Sequence, residues 1–148
     1  MKISEHFTLE ELSFSETASR CGLGNIPNAG ATANLERIAA FMEKIRTLLG
    51  NRPIVVHSGY RSPQVNTVVG GVITSAHCRG LACDFVCPTF GTPVDVALAI
   101  VRSELVYDQL ILEDGWVHVS LPEDGLISRR QGLTKPSKEA TYEAGIRS

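Results

Sequence analysis

The sequence lacks an excess of charge of either sign, and it has no long apolar run. Its 14 Lys and Arg residues are balanced by 16 Asp and Glu residues, which gives a formal net charge of -2. Such a chain has no basic field that would attract a polyanion, so we expect no nucleic-acid partner. No segment reaches the ~20 apolar residues of a membrane span, so no span is expected either.

The amino terminus also lacks an apolar signal region. Residues 1–6 are mainly polar and charged, whereas a secretory signal needs an apolar stretch after its basic start. We therefore predict synthesis in the cytoplasm without a signal peptide. Of the 148 residues, 43% are hydrophobic and 20% are charged, which is typical of one soluble globular domain with a sufficient core of its own.

Cysteine is scarce, and its spacing does not match the tight knuckle of a structural zinc site. The four cysteines are Cys21, Cys78, Cys83 and Cys87. In a chain of this size without a signal, we interpret them as reduced thiols that pack mainly as small apolar residues.

Hydrophobic periodicity predicts two main helices. Residues 35–49 carry apolar side chains at three- and four-residue intervals, with Asn34 as the N-cap and Gly50 as the stop. Thr92, followed by a proline, predicts the start of a second amphipathic helix that reaches Val101.

Two segments near the amino terminus are less regular. Thr8 and Glu11 form a capping-box pattern, which predicts the start of a short helix. Residues 21–33 contain three glycines, two asparagines and a proline, so we expect irregular structure there.

Four short strands are predicted from apolar and β-branched runs bounded by turn residues, at residues 54–58, 84–87, 109–112 and 116–120. Helices and strands do not alternate strictly. The pattern therefore indicates one α+β domain with a small, mainly antiparallel sheet backed by helices. The polar last residues predict a surface segment or a frayed tail, so we divide the chain into a domain at 1–125 and a polar carboxy-terminal segment at 126–148.

His77, Asp84 and His118 form a candidate set of metal ligands. Two imidazoles and one carboxylate are a usual set for catalytic zinc, which keeps a fourth position for water. Asp84 lies in an apolar strand, where a carboxylate needs a partner or a cation. A salt bridge to Arg61 or Arg79 would also satisfy Asp84, and His118 taken alone would more often be a hydrogen-bonded structural histidine.

The cysteines allow a competing metal set, in which Cys78, Cys83 or Cys87 replaces Asp84. Side chains alternate between the two faces of a strand, so Cys83 should point away from Asp84. This alternation disfavours Cys83 as a ligand.

Three separated motifs carry a family resemblance. They are Ser58-Gly59-Tyr60-Arg61-Ser62-Pro63, Ser75-x-His77-x2-Gly80-x-Ala82-x-Asp84-Phe85 and Trp116-Val117-His118-Val119-Ser120. In this order they resemble the motifs of the zinc D-alanyl-D-alanine carboxypeptidases and the related phage endolysin endopeptidases, the LAS metallopeptidases. The opening His6-Phe7-Thr8-Leu9-Glu10-Glu11-Leu12 resembles the start of their small phage-encoded branch, so the resemblance spans roughly residues 3–121.

The resemblance implies that His77, Asp84 and His118 bind one Zn²⁺ in a hedgehog-like or D-Ala-D-Ala-peptidase-like site. It also implies a general base, which in this family is a glutamate a few residues before the last histidine. Glu113 and Asp114 both stand there. We favour Glu113, because it ends a predicted strand and its side chain is longer, and we keep Asp114 as the alternative base; a solvated acidic turn is the ordinary interpretation of both.

The resemblance assigns Arg61 to the oxyanion or to a terminal carboxylate of the substrate, with a structural salt bridge as the alternative. Tyr60 and Trp116 are predicted to bind substrate, although Trp116 would equally fill the core. Ser75 is predicted to donate a hydrogen bond to a ligand.

These expectations add up to a zinc peptidase of peptidoglycan stem peptides, either a D-Ala-D-Ala carboxypeptidase or an endolysin-type endopeptidase, that uses zinc-activated water. We expect a monomer that acts on the cell wall after lysis or release, or as part of a virion. The alternative is a non-catalytic zinc-containing module for wall binding or virion structure, because the amino-terminal domain of hedgehog proteins resembles this family without an established peptidase role. A cytoplasmic D-Ala-D-Ala dipeptidase is a third possibility.

Overall fold

A six-stranded mixed sheet forms the centre of the computed structural model, which describes residues 1–147. The strands are β1 (Val55–Ser58), β2 (Ala82–Val86), β3 (Gln109–Leu112), β4 (Val117–Ser120), β5 (Gln131–Thr134) and β6 (Glu143–Ala144). Their order across the sheet is β1-β2-β4-β3-β5-β6. Every neighbouring pair is antiparallel except β3 and β5, which are parallel. The predicted α+β class and the four predicted strands are confirmed.

Five helices and one 3-10 turn accompany the sheet. They are α1 (Leu9–Ser13), α2 (Glu16–Cys21), α3 (Ala29–Leu48), α4 (Pro63–Val68), the 3-10 turn Ala76–Arg79, and α5 (Pro93–Val101). The capping box at Thr8 is confirmed, and so is the helix after Thr92. Within residues 1–147, no helix combines the length and the apolar character needed to cross a bilayer.

The prediction for residues 21–33 was wrong at both ends. The N-cap of α3 is Asn28, six positions before the predicted cap. Its side chain accepts a hydrogen bond from the Ala31 amide at 2.8 Å, and the alanines that follow favour helix. α2 was not predicted. Its N-cap is Ser15, and it ends at Gly22, whose φ of 66° is the left-handed conformation that glycine adopts readily.

The two faces of the sheet have different characters because side chains alternate along each strand. One face packs in the hydrophobic core against α3 and α5, and its central residues are Cys83, Phe85, Leu110, Leu112, Val117 and Val119. The other face lines an open cleft and carries Asp84, Ile111 and His118, which lie opposite one another in the strand register. The core therefore fixes the backbone from which the cleft residues project.

The carboxy-terminal segment lies largely at the surface but is not frayed. β5 adds to β3 in parallel, with Leu112 opposite Thr134, and β6 pairs with β5. Thr134 is buried, and its hydroxyl donates to the Gly145 carbonyl at 2.7 Å and accepts from the Arg147 amide at 2.9 Å. The division of the chain at residue 125 stays a prediction, although the sheet continues beyond it.

Candidate metal centre and active-site cleft

Three elements bring the candidate ligands together. His77 lies in the 3-10 turn, Asp84 is at the middle of β2, and His118 is directly opposite Asp84 on β4. One potential ligand atom from each side chain lies within 4.8 Å of the others. Within the described chain, residues 1–147, this is the one group of at least three His, Cys, Asp or Glu side chains that could hold a metal ion.

The spacing of these atoms suits a small cation. Asp84 Oδ1 is 3.2 Å from His77 Nε2 and 2.8 Å from His118 Nδ1. Two ligands that each lie about 2.0–2.1 Å from a tetrahedral zinc ion are about 3.3 Å apart. The side chains are also nearly sealed from solvent, since His77, Asp84 and His118 are 2%, 7% and 9% exposed.

The hydrogen bonds of His77 favour a cation between the ligands. Its Nδ1 lies 2.7 Å from the carbonyl oxygen of Gly59, which can only accept, so Nδ1 carries the proton. A neutral imidazole then has only a lone pair on Nε2, and that lone pair faces the carboxylate of Asp84. Either His77 is a buried imidazolium, or a cation lies between the two groups. The donor set of two imidazoles and a carboxylate therefore fits Zn²⁺.

Asp84 is held in its charged form. Burial raises the pKa of the Asp84 carboxyl, but the charge of His77 and hydrogen bonds from His118 and His77 outweigh it. The net pKa lies well below the ordinary range of an aspartate. Neither alternative partner from the sequence contacts Asp84, because Arg79 pairs with Glu123 at 3.1 Å and Arg61 makes no ion pair within residues 1–147.

The backbone around His77 is also fixed. Ser75 caps the 3-10 turn by accepting a hydrogen bond from the His77 amide at 3.2 Å. Its hydrogen bond to a ligand stays a prediction. Gly80 ends the turn with a φ of 72°, and a Cβ there would lie 2.5 Å from the Ala31 carbonyl oxygen. A glycine is therefore required at this position for both conformation and space.

Glu113 lies at the end of β3 and lines the cleft together with the three candidate ligands. The indole Nε1 of Trp116 donates to its Oε2 at 3.0 Å. Burial and the negative charge of Asp84 raise the pKa of the Glu113 carboxyl, and His118, Trp116 and Lys135 offset only part of this rise. A carboxylate with a raised pKa is suited to exchange protons near neutral pH.

Asp114 and Trp116 line the same cleft. Asp114 is exposed at the tip of the turn between β3 and β4, whereas Glu113 is half-buried. Trp116 is half-buried as well and forms part of the wall, so its side chain is in position to contact a ligand of the cleft.

Arg61 enters the cleft from the segment after β1. Its Nη1 donates to Asn66 Oδ1 at 3.2 Å, and its backbone amide donates to the His77 carbonyl at 3.1 Å. Among the buried side-chain nitrogen and oxygen atoms of residues 1–147, only Arg61 Nε has no hydrogen-bond partner. An arginine with an unused donor beside a candidate metal site can bind an anionic group.

Tyr60 occupies a different place from the one predicted. It is 6% exposed and belongs to the hydrophobic core, and its amide donates to the Leu12 carbonyl at 2.7 Å. Tyr60 is not among the residues that line the cleft, so we leave it out of the proposed site.

The cysteines take no part in the candidate metal centre. All four are free, and Cys83 and Cys87 are buried in the hydrophobic core. Cys83 therefore points away from Asp84, as side-chain alternation predicts.

Sequence reasoning missed two contributions to the site. The carbonyl of Gly59 orients His77, but a glycine within a motif carries no sign of which group its carbonyl meets. Lys135 lines the cleft from the segment that was expected to be a tail. A basic residue after a short polar strand gives no distinct signal in a single sequence.

Two buried imidazoles and a carboxylate, next to an open cleft with a further carboxylate and a guanidinium, are the groups that a metal-dependent hydrolase uses. The family model of peptidase M15 matches residues 5–120, and the chain belongs to this family of zinc-dependent peptidases. This match confirms the resemblance seen in the sequence. A search of the curated proteins found no match.

Proposed function

We propose that the chain is a zinc endopeptidase that cleaves the stem peptides of peptidoglycan. The observation that carries this proposal is the shape of the cleft, which has a volume of about 1170 Å³ and extends to both sides of the candidate ligands. Arg61 lies on the β1 side and Lys135 on the β5 side. An enzyme that removes a terminal residue needs a site that is closed beside the scissile bond. This cleft instead continues past the candidate ligands in both directions.

A D-Ala-D-Ala carboxypeptidase is the second candidate, and Arg61 favours it. The partnerless Nε and the guanidinium plane of Arg61 suit the two oxygens of a terminal carboxylate. In the endopeptidase, the same guanidinium would stabilise the negative charge that develops on the carbonyl oxygen.

In either reaction, His77, Asp84 and His118 would hold one Zn²⁺. When bound, the ion supplies a Lewis acid that polarises a carbonyl group and lowers the pKa of water. Glu113 accepts the proton of the attacking water and returns it to the leaving amine, and Asp114 is the alternative base. Trp116 donates a hydrogen bond to Oε2 of Glu113, and Oε1 accepts no hydrogen bond from residues 1–147.

The substrate decides where the protein would act. Peptidoglycan lies outside the cytoplasm, so the proposed place of action is the cell wall, after lysis or release or from a virion. The proposed working form is a monomer.

The test is digestion of purified Gram-negative and Gram-positive peptidoglycan by the zinc-loaded protein, followed by mass spectrometry of the released fragments. Internal cleavage of the stem peptide supports the endopeptidase, and loss of a terminal D-Ala supports the carboxypeptidase. Glu113→Gln is the control, and it should release at most traces of the fragments. If stoichiometric zinc is present and neither wall yields a product, the non-catalytic module replaces the peptidase.

A further inference from the structure

The chain beyond the family match builds one wall of the cleft. β5 pairs with β3 so that Thr134 lies opposite Leu112 on the core face, and the Lys135 amide donates to the Leu112 carbonyl at 2.8 Å. Side chains alternate, so Lys135 projects from the opposite face, beside Glu113. The cleft lining includes Lys135 and also Lys138 and Tyr142.

The ammonium group of Lys135 is positioned by an aromatic neighbour. Its Nζ lies 5.0 Å from the centre of the Tyr142 ring, within the range of a cation–π contact. The hydrogen bonds of Thr134 to Gly145 and Arg147 hold the segment that follows β6 against β5. Lys135 is half-buried, which distinguishes it from a fully solvated surface lysine.

Three lysine and arginine side chains of the cleft form no ion pair within residues 1–147. Arg79 pairs with Glu123, and Arg129 pairs with Asp108 at 2.8 Å. Over residues 1–147, ion pairs involve none of the remaining lysine and arginine side chains of the cleft, which are Arg61, Lys135 and Lys138. Arg61 belongs to the β1 side and the two lysines belong to the β5 side, with the candidate ligands between them.

The geometry points to Lys135 as a specificity-determining residue, which binds a carboxylate of the peptide substrate on the far side of the candidate ligands from Arg61, with Lys138 on the same wall. This inference rests on the proposed function, because it needs a peptide in the cleft. Two strand spacings, about 10 Å, separate β4 from β5, and an extended peptide covers this distance in about three residues. The recognised carboxylate would lie about three residues from the scissile bond.

The experiment compares synthetic stem peptides in which each free carboxyl in turn is replaced by an amide. KM and kcat are measured for the zinc-loaded wild type, Lys135→Gln and Lys135→Arg, with Lys44→Gln as the matched control on the exposed side of α3. For the peptide with the recognised carboxylate, Lys135→Gln should raise KM about threefold to tenfold and leave kcat within about twofold. For the matching amide the rise in KM should be markedly smaller, and Lys135→Arg should keep the preference for the carboxylate.

Equal changes in KM for the carboxylate and amide peptides would overturn the inference, because Lys135 would then only shape the wall. Calorimetric binding of the same peptides, in the zinc-loaded Glu113→Gln background, separates this failure from failure of the proposed function. If the wild type cleaves nothing but binding prefers the carboxylate through Lys135, the peptidase is wrong and the anion site stands. If binding shows no such preference, the inference is wrong even where cleavage occurs.

Discussion

The centre of the sheet and its carboxy-terminal edge contribute to the same cleft in different ways. At the centre, Asp84 and His118 come from strands that are paired on both sides, and they are almost fully buried. At the edge, Lys135 follows a four-residue strand and is half-buried. Metal ligands must be held within about 0.5 Å of their working geometry, whereas a residue that attracts a substrate charge needs reach more than rigidity. The candidate ligands thus lie on strands that are paired on both sides, and the proposed substrate contact lies just beyond the end of a short strand.

Removal of a central ligand should have the largest effect. His77→Ala and His118→Ala should each lose the bound equivalent of zinc and all hydrolysis, because two ligands cannot replace the set of three. Elemental analysis of the purified variants measures the zinc. His57→Ala is the matched control, since His57 also lines the cleft but lies outside the candidate ligand set. A full equivalent of zinc in either ligand variant would refute the assignment.

The next largest effect should come from the base beside the centre. Glu113→Gln should lower kcat by about 10²–10⁴, because the amide cannot accept the proton of the attacking water. Asp114→Asn, one position further on, should retain most of the activity. The reverse result, with Asp114→Asn inactive and Glu113→Gln active, would assign the base to Asp114.

The turn that presents His77 can be disrupted without touching a ligand. Gly80→Ala introduces a Cβ against the Ala31 carbonyl and strains a positive φ, so unfolding free energy should fall by about 2 kcal/mol or more, and zinc affinity should fall with it. Gly125→Ala is the matched control, because Gly125 has a φ of 85° but nothing within 4 Å of an added Cβ. It should lose only about 1–2 kcal/mol. Thermal melts and zinc titrations measure both variants, and equal losses in the two would show that the contact with Ala31 does not matter.

The smallest expected effect is a shift in pH dependence. The pKa of Glu113 is raised, and a base must be deprotonated to act. When the pH is lowered, the activity should therefore begin to fall at a higher pH than with an ordinary glutamate as the base. The hydrogen bond from Trp116 lowers this pKa, so Trp116→Phe should raise it further and move the acidic limb to higher pH. The profile of kcat/KM against pH measures the shift. Phe14→Leu is the control, because Phe14 is an aromatic residue of the cleft that takes no part in this hydrogen bond; it should leave the acidic limb in place. If Trp116→Phe also leaves the limb in place, Glu113 is not the group whose titration produces the limb.

The sequence was sufficient to predict the central strands and the candidate ligands for a physical reason. A carboxylate within an apolar run, such as Asp84, requires a partner. The structure provides His118 on the neighbouring strand and His77 in the turn before β2. The start of α3 was misplaced because Gly30 and Asn34 suggest a break, whereas the cap at Asn28 lies upstream of both. These signals act between residues that are close in the sequence, so they can be recognised in the sequence alone.

The carboxy-terminal strand β5 could not be predicted in the same way. Residues 131–134 carry little apolar character, and their strand exists because β3 offers an unpaired edge at the right place. This information lies in the tertiary structure and not in the local sequence. The core position of Tyr60 is a similar case, since its backbone amide donates a hydrogen bond to the carbonyl of Leu12, which is far away in the sequence.

The parallel pairing of β5 also has a consequence for folding. β3 and β4 are joined by the short turn at residues 113–116, whereas β5 returns only after β4 and the ten residues 121–130. Closing the longer loop costs more chain entropy, so the hairpin with His118 should form before the wall with Lys135. In hydrogen exchange of the native protein, the amides of β5 should open more readily than those of β4. The hairpin that carries His118 and the acidic turn would thus be in place before the wall that carries Lys135 joins it.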